Sequence, residues 1–384
     1  MSDLFLRHDR VVLNIEPLIG AHTIATRRGG SVAITAGAAA GAIARTSRFA
    51  ISPNWLIYLP PAPVTIALGD GGLSAALQAL AAESRDHAFR PETGSRAYIL
   101  VCRDAEVARA RFAATGSDEI GAAWTSTGRA VCADPILKSD LLLQLRRAAE
   151  SSGLWTSLAT DWLLIEAEVL PWSDEDRSQR LEPLVATDSE TRWSCIAART
   201  ELAKACARGV HADALLGEID ARATEAHARL SRSRRHFARS ATVTPLRILA
   251  GEGRIWIDAG DEWQATACAG LQTALDPAEG GSRWSDLGDG HPGDWARIFT
   301  LVDDFTDVVI RWRNPGSPDA RPILRISKHV PAPACGPDLS AWLNGATNAE
   351  AQNALGHEAL ERFFGRESAD SVHQCILGIV ALRH

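Results

Sequence analysis

Pro91-Glu92-Thr93-Gly94-Ser95-Arg96 sets a glycine and an arginine just ahead of the apolar run Tyr98 to Cys102. A glycine there admits close approach of another group, and an arginine fork suits an anion. Glu166 and Glu168 stand two apart in the run Asp161 to Leu170. If that run is a strand, both carboxylates lie on one face. Such a pair can hold a divalent cation, or it can divide into one residual acid and one acid salt-bridged to an arginine. Arg96 and Arg129 offer an anion pocket, or ordinary partners for those same glutamates. The eleven histidines show no ligand spacing, and His373 with Cys375 reads as a packing pair, so no zinc site is expected.

Composition narrows the partners. The chain has 384 residues, a formal net charge of −7 and a pI near 5.9, which argues against a broad nucleic-acid footprint. Lysine is confined to Lys138, Lys204 and Lys328, few for a site that processes polyphosphates, while the plentiful arginines leave room for a local basic groove. Seven dispersed cysteines without CxxC spacing, and no leader-like start, point to a reduced cytoplasmic protein. The Ala/Gly-rich stretch 31–43 is too short to cross a bilayer, so no membrane is expected. The twelve tryptophans read mainly as core, with base stacking as the functional alternative. The acidic stretch Asp286, Asp289, Asp294, Asp303, Asp304 and Asp307 would repel phosphate.

The elements that must position these groups follow from periodicity. Strands are expected at Val11 to Ile15, Val32 to Ile34, Trp55 to Leu59, Tyr98 to Cys102, Asp161 to Leu170, Leu246 to Leu249, Arg254 to Asp258, Val308 to Trp312 and Leu324 to Ile326. Helices are expected at 36–46, 71–83, from Asp104, at 134–152 with leucines at 141, 142, 143 and 145, through 195–238, and across 347–384. Thr125 to Arg129 reads as a turn. The order is α+β with clustered helices, not a βαβ repeat.

Five strings carry a family resemblance: RFAISPNWLIYLPP (48–61), GSRAYILVCRDAEVARARF (94–112), TSTGRAVCADP (125–135), GLWTSLATDWLLIEAEVLPWS (153–173) and ALERFFGRESADSVHQCILGIVAL (359–382). In these the chain resembles the C-terminal RNA ligase domain of bacterial polynucleotide kinase-phosphatase. The resemblance implies a nucleotidyltransferase (ATP-grasp-like RNA/DNA ligase) fold with a helical insertion and a C-terminal helical module. It divides the chain into a segment 1–50 resembling the tail of a preceding phosphatase domain, a split core of 51–175 and 245–330, an insertion 176–244 and a module 335–384.

In that family a lysine takes AMP from ATP and passes it to an RNA 5′-phosphate, with metal assistance. Here the lysine position falls on Pro91, which has no amine. Gly94 and Arg96 are kept, with Arg96 expected beside the nucleotide ribose, and Glu168 matches the acid of the middle motif with Glu166 where the family has aspartate. The family's Glu-Gly-x-Val-Val-Lys strand falls on Phe305 to Ile310 without its acid or its lysine, and Arg325 stands where a lysine clamps the phosphates. Lys328, just beyond, is the substitute nucleophile to consider. The resemblance therefore implies a catalytically inactive ligase-like protein, needing no cofactor and acting as a binding or scaffolding partner in nucleic-acid end repair or defence. The alternatives are an active enzyme with altered chemistry using ATP and Mg²⁺ on Gly94, Arg96, Arg129, Glu168 and Arg325, and a purely structural subunit. A protein partner is expected, and RNA is weakly supported by the charge.

Overall fold

Alternation of side-chain type along two strands organises the centre of the molecule. In the computed structural model, which describes residues 20–27, 30–46, 53–59, 64–67, 87–112, 118–237, 241–275, 285–286, 298, 300–312, 324–328 and 348–383, these strands are Ser95–Cys102 and Trp162–Leu170. In chain order the strands are β1 (His22–Ala25), β2 (Ser31–Ile34), β3 (Val64–Ala67), β4 (His87–Glu92), β5 (Ser95–Cys102), β6 (Gly121–Thr125), β7 (Trp162–Leu170), β8 (Thr242–Gly251), β9 (Arg254–Ile255), β10 (Ser285–Asp286), β11 (Asp307–Trp312) and β12 (Leu324–Ser327). The longer helices are α1 (Ala36–Thr46), α2 (Ala105–Phe112), α3 (Pro135–Ser151), α4 (Glu182–Ala207), α5 (Asp213–Ser233), α6 (Asp261–Leu275), α7 (Ala349–Phe364) and α8 (Ala369–Leu382).

The first sheet runs β6-β5-β7-β8-β9, antiparallel throughout. Ala97, Ile99 and Val101 of β5 and Leu163, Ile165, Ala167 and Val169 of β7 fall on one face, packed with Leu141, Leu142 and Leu145 of α3 and Leu271 of α6. Asp134 caps α3 by accepting a hydrogen bond from Ile136 N (2.9 Å), and Pro135 opens it. The opposite face begins apolar, with Leu100, Cys102, Trp162 and Leu164, and packs against Leu355, Leu360 and Ile376 of the C-terminal helices. At its other end the same face turns charged, because register pairs Arg96 with Glu168 and Tyr98 with Glu166.

The second sheet runs β10-β4-β11-β12-β3, with only β12 and β3 parallel. Its register also sorts side chains by face. Arg90, Glu92, Asp307, Val309, Arg325 and Ser327 share one side, and Phe89, Pro91, Val308, Ile310, Leu324 and Ile326 the other. Thr93 and Gly94 alone link β4 of this sheet to β5 of the first.

Helices α4 and α5 pair between β7 and β8, rooted on a small core of Trp172, Leu181 and Phe305, where the His236 ring stacks on Phe305 at 5.4 Å. The β1–β2 hairpin joins the core of α7 and α8: Ile24 and Ile34 lie in one cluster with Leu355 and Val372. Among the described residues no helix is long and apolar enough to cross a membrane.

Several expectations need correcting. The segment Pro53–Tyr58 is a 3-10 helix, not a strand; Trp55, Leu56 and Ile57 are all buried, and a single turn of helix can bury consecutive residues that a half-covered strand would alternate. The stretch 195–238 is broken at 208–212, where Gly209 adopts φ +85°, and the helical region already starts at Asp174. β9 is only two residues long, and α6 occupies a region with no strong outward signal, its Trp263 stacked on Trp256 at 5.5 Å. The expected strand 11–15, helix 71–83 and link 331–335 lie outside the described residues.

Phe363 of α7 ties the C-terminal helices to the sheet through ring contacts with Trp55 (5.5 Å), Phe112 (5.7 Å) and Trp162 (6.4 Å). Phe363→Ala is expected to lower unfolding free energy by about 3 kcal/mol, measured as a shifted urea midpoint. An unchanged midpoint would contradict this packing.

Candidate functional site

The Thr93-Gly94 link is held by one carboxylate. Glu168 Oε1 accepts hydrogen bonds from Thr93 N (2.6 Å), Gly94 N (2.5 Å) and Thr93 Oγ1 (3.1 Å). A Cβ at Gly94 would lie 2.6 Å from Glu168 Cγ and 2.7 Å from the carbonyl oxygen of Val169. The glycine therefore has a packing reason that involves no ligand. Burial, and then the neighbouring Glu92 charge, push the Glu168 carboxyl above its usual range, against the pull of Arg90 and the backbone N–H groups.

One turn of the pleat further on, Arg96 Nε donates to Glu166 Oε1 at 2.6 Å, and its Nη2 pairs with the same oxygen. Tyr98 Oη donates to that oxygen at 3.5 Å, and Arg247 Nη1 stands 3.9 Å from Glu166 Oε2. Burial, with Glu166 beside it, pushes the Tyr98 phenol up to about 12. Arg96 Nη1 is buried with no hydrogen-bond partner among the described residues.

A second cluster lies on the charged face of the other sheet. Glu92 sits between Arg90 Nη2 (2.5 Å) and Arg325 Nη2 (2.7 Å). Asp307 accepts the two Nη groups of Arg180 (3.1 and 3.2 Å) and Ser327 Oγ (2.7 Å), with Arg325 Nε at 3.3 Å. Burial acts to raise the Glu92 pKa, but Arg325, Arg90 and Arg96 together hold it down at about 2. The charges of Arg96 and Arg325 act on one another and on Glu92, so the two clusters are electrostatically one site.

Arg96, Glu166, Glu168, Gly94 and Arg325 thus come together, and Arg129 does not. Its side chain is 66% exposed and lies 3.7 Å from Glu175, which also accepts the Thr125 and Thr127 hydroxyls. Pro91 is exposed and on the face opposite Glu92. Lys138 pairs with Glu119 (3.0 Å), Lys204 with Glu201 (2.7 Å) and Lys328 with Asp304 (2.7 Å). The acidic stretch repels less than its composition implies, since Asp303, Asp304 and Asp307 are each paired with a cation. Sequence reasoning missed Arg90, Glu92, Arg180 and the inward role of Asp307. The two-residue spacing of Arg90 and Glu92 was a usable signal; Arg180 meets Asp307 across 127 positions and gave none.

Tested against an adenylyl group and its metal, these residues fit poorly. No amine stands at 91, and the Glu166 and Glu168 carboxylates are turned onto protein donors rather than left convergent for a cation. Among the described residues no three or more His, Cys, Asp or Glu side chains group as a metal site.

The depressed Glu92 carboxyl gives a signed pH dependence. Its stabilisation is complete above its ordinary value of 4.5 and is lost as pH falls toward about 2. Wild-type stability is expected to decline across that window, and Glu92→Gln to flatten the decline while lowering stability at neutral pH, both read by urea unfolding. Gly94→Ala is expected to cost about 1–3 kcal/mol whether or not nucleotide is added, by the same measurement.

The family described as PNKP adenylyltransferase domain, ligase domain, matches residues 41–279. No curated protein matches the chain. Two solved structures resemble it at 12% identity. A chain titled "Structure of the Pnkp1/Rnl/Hen1 RNA repair complex" has a TM-score of 0.43, with 85% of this chain and 95% of that chain covered. One titled "Structure of Pnkp1/Rnl/Hen1 complex" has a TM-score of 0.37, with 84% of each covered. The mixed α+β architecture, with open sheets and inserted helices, agrees with a nucleotidyltransferase-type ligase fold. The family match spans well over half of the sequence, and the chain belongs to the PNKP ligase-domain family.

Proposed function

We propose that this member of the family forms no lysyl-adenylate and acts as a binding or scaffolding partner in nucleic-acid end repair or defence. The observation that supports this reading is Pro91, the residue on which the resemblance sets the nucleophile. Pro91 has no amine, and it stands on the sheet face carrying Val308 and Ile326 rather than beside Glu92 and Arg325. A lysine restored there would begin on the wrong side of β4. The charged side chains that remain are paired with one another, as expected of a site kept for structure rather than turnover. Lys328, the substitute nucleophile, is tied to Asp304.

A second reading, non-covalent binding of ATP with altered chemistry, is favoured by one atom: the buried Arg96 Nη1 lacks an acceptor that a ligand oxygen could supply. On that reading micromolar ATP binding would disappear in Arg96→Ala.

The test is incubation of the purified chain with α-labelled ATP and Mg²⁺ or Mn²⁺, followed by denaturation. No covalent label is expected on the wild type or on Pro91→Lys. Label on the wild type would overturn the proposal. Label on Pro91→Lys alone would show that the missing amine, and not the direction of residue 91, disables the site.

A further inference from the structure

The cluster on the second sheet gathers its cations from separate elements. Arg90 comes from β4, Arg325 from β12 and Arg180 from the helical turn Arg177–Leu181, and these three pair closely with Glu92 and Asp307, while Glu168 feels Arg90 and Asp176 feels Arg325 from further off. Arg180 presents a two-pronged fork to Asp307 and is braced from behind by the Trp172 ring, 4.5 Å from its guanidinium carbon. Forks from separate elements aimed at one small volume suit tetrahedral oxyanions as well as carboxylates. Burying five charges for structure alone is a poor bargain when apolar side chains of similar volume hold a core at least as well. The Nε atoms of Arg180 and Arg325 are buried without a hydrogen-bond partner among the described residues, Arg325 Nε reaching Asp307 only as a 3.3 Å ion pair. Donors are left over even with both carboxylates in place.

We propose that Glu92 and Asp307 act as built-in anion mimics, filling the cradle of Arg90, Arg180 and Arg325 and closing it to oligophosphate ligands. The carboxylates belong to the same buried rows as the arginines they occupy: Glu92 and Asp307 are direct cross-strand neighbours, and Ser327 Oγ pins Asp307 toward the fork. A phosphate chain entering this volume would meet two fixed negative charges and find the terminal Nη groups of the forks already engaged, whatever the leftover Nε atoms offer. The absence of turnover and the closure of the cradle are separate properties. This inference deepens the reading of the same cleft as a non-catalytic site, yet it concerns which anion the arginines hold, not whether an amine attacks.

The experiment is calorimetric titration of the full chain with inorganic tripolyphosphate at low salt, comparing wild type with Asp307→Asn and Glu92→Gln. The variants are expected to bind about tenfold more tightly or better, and the gain to vanish in Asp307→Asn combined with Arg325→Gln. Wild type binding as tightly as both variants would overturn the inference, and so would a folded Asp307→Asn with no gain. If the substitutions leave a marginally stable protein, thermal unfolding provides the readout: tripolyphosphate should raise the Tm of the variants and leave that of the wild type in place. Equal shifts, or none, would overturn it. Covalent labelling by ATP bears on the nucleophile alone, so the two proposals fail by different measurements.

Discussion

The carboxylate of Glu168 and the three donors it gathers from Thr93 and Gly94 fix the arrangement on which everything else rests. Two residues carry the chain from one sheet to another, and a link that short has few ways to make the turn. Glu168 selects one of them, and the closeness of Val169 requires glycine at its second position. Once the link is fixed, β4 and β5 have fixed faces. Glu92 then comes under the charge of Arg96, although the two belong to different sheets. A flexible link would leave these charges in solvent, each separately hydrated.

The buried electrostatics follow from that geometry. Each guanidinium and carboxylate brought into the cleft loses water, and only close, directed pairing offsets that loss. Glu166 and Arg96 achieve it within the first sheet; Glu92 and Asp307 achieve it within the second. The coupling of Arg96 to Glu92 joins the sets, so a change at one arginine is felt by carboxylates on both sheets. Such networks specify one arrangement more than they strengthen it.

Much of the fold was legible because its signals are local. The alternation in Trp162 to Leu170 placed Glu166 and Glu168 on one face of a strand, and Asp134-Pro135 with its leucines marked the start and buried side of α3. What escaped depended on tertiary surroundings. Trp55, Leu56 and Ile57 form a strand-like apolar run, but cover from several directions lets them coil into a 3-10 helix. The site was half legible for the same reason. Gly94, Arg96 and Glu168 were singled out and do lie together, while Arg180 and Asp307 become neighbours only after folding, and Arg129, singled out with them, lies elsewhere.

The packing of the β1–β2 hairpin against α7 and α8 has a consequence for the order of assembly. Gly378 leaves just enough room for Ile24 and Leu355, and Arg27 donates its backbone N–H to Glu358 at 2.7 Å. The β1–β2 hairpin thus has its apolar side completed by helices synthesised well after it. A two-stranded hairpin alone is marginal in water, and domains fold as their contacts become available to the growing chain. The hairpin must wait, uncovered, until α7 and α8 have left the ribosome. A nascent chain stalled before residue 349 would carry that hairpin without its cover.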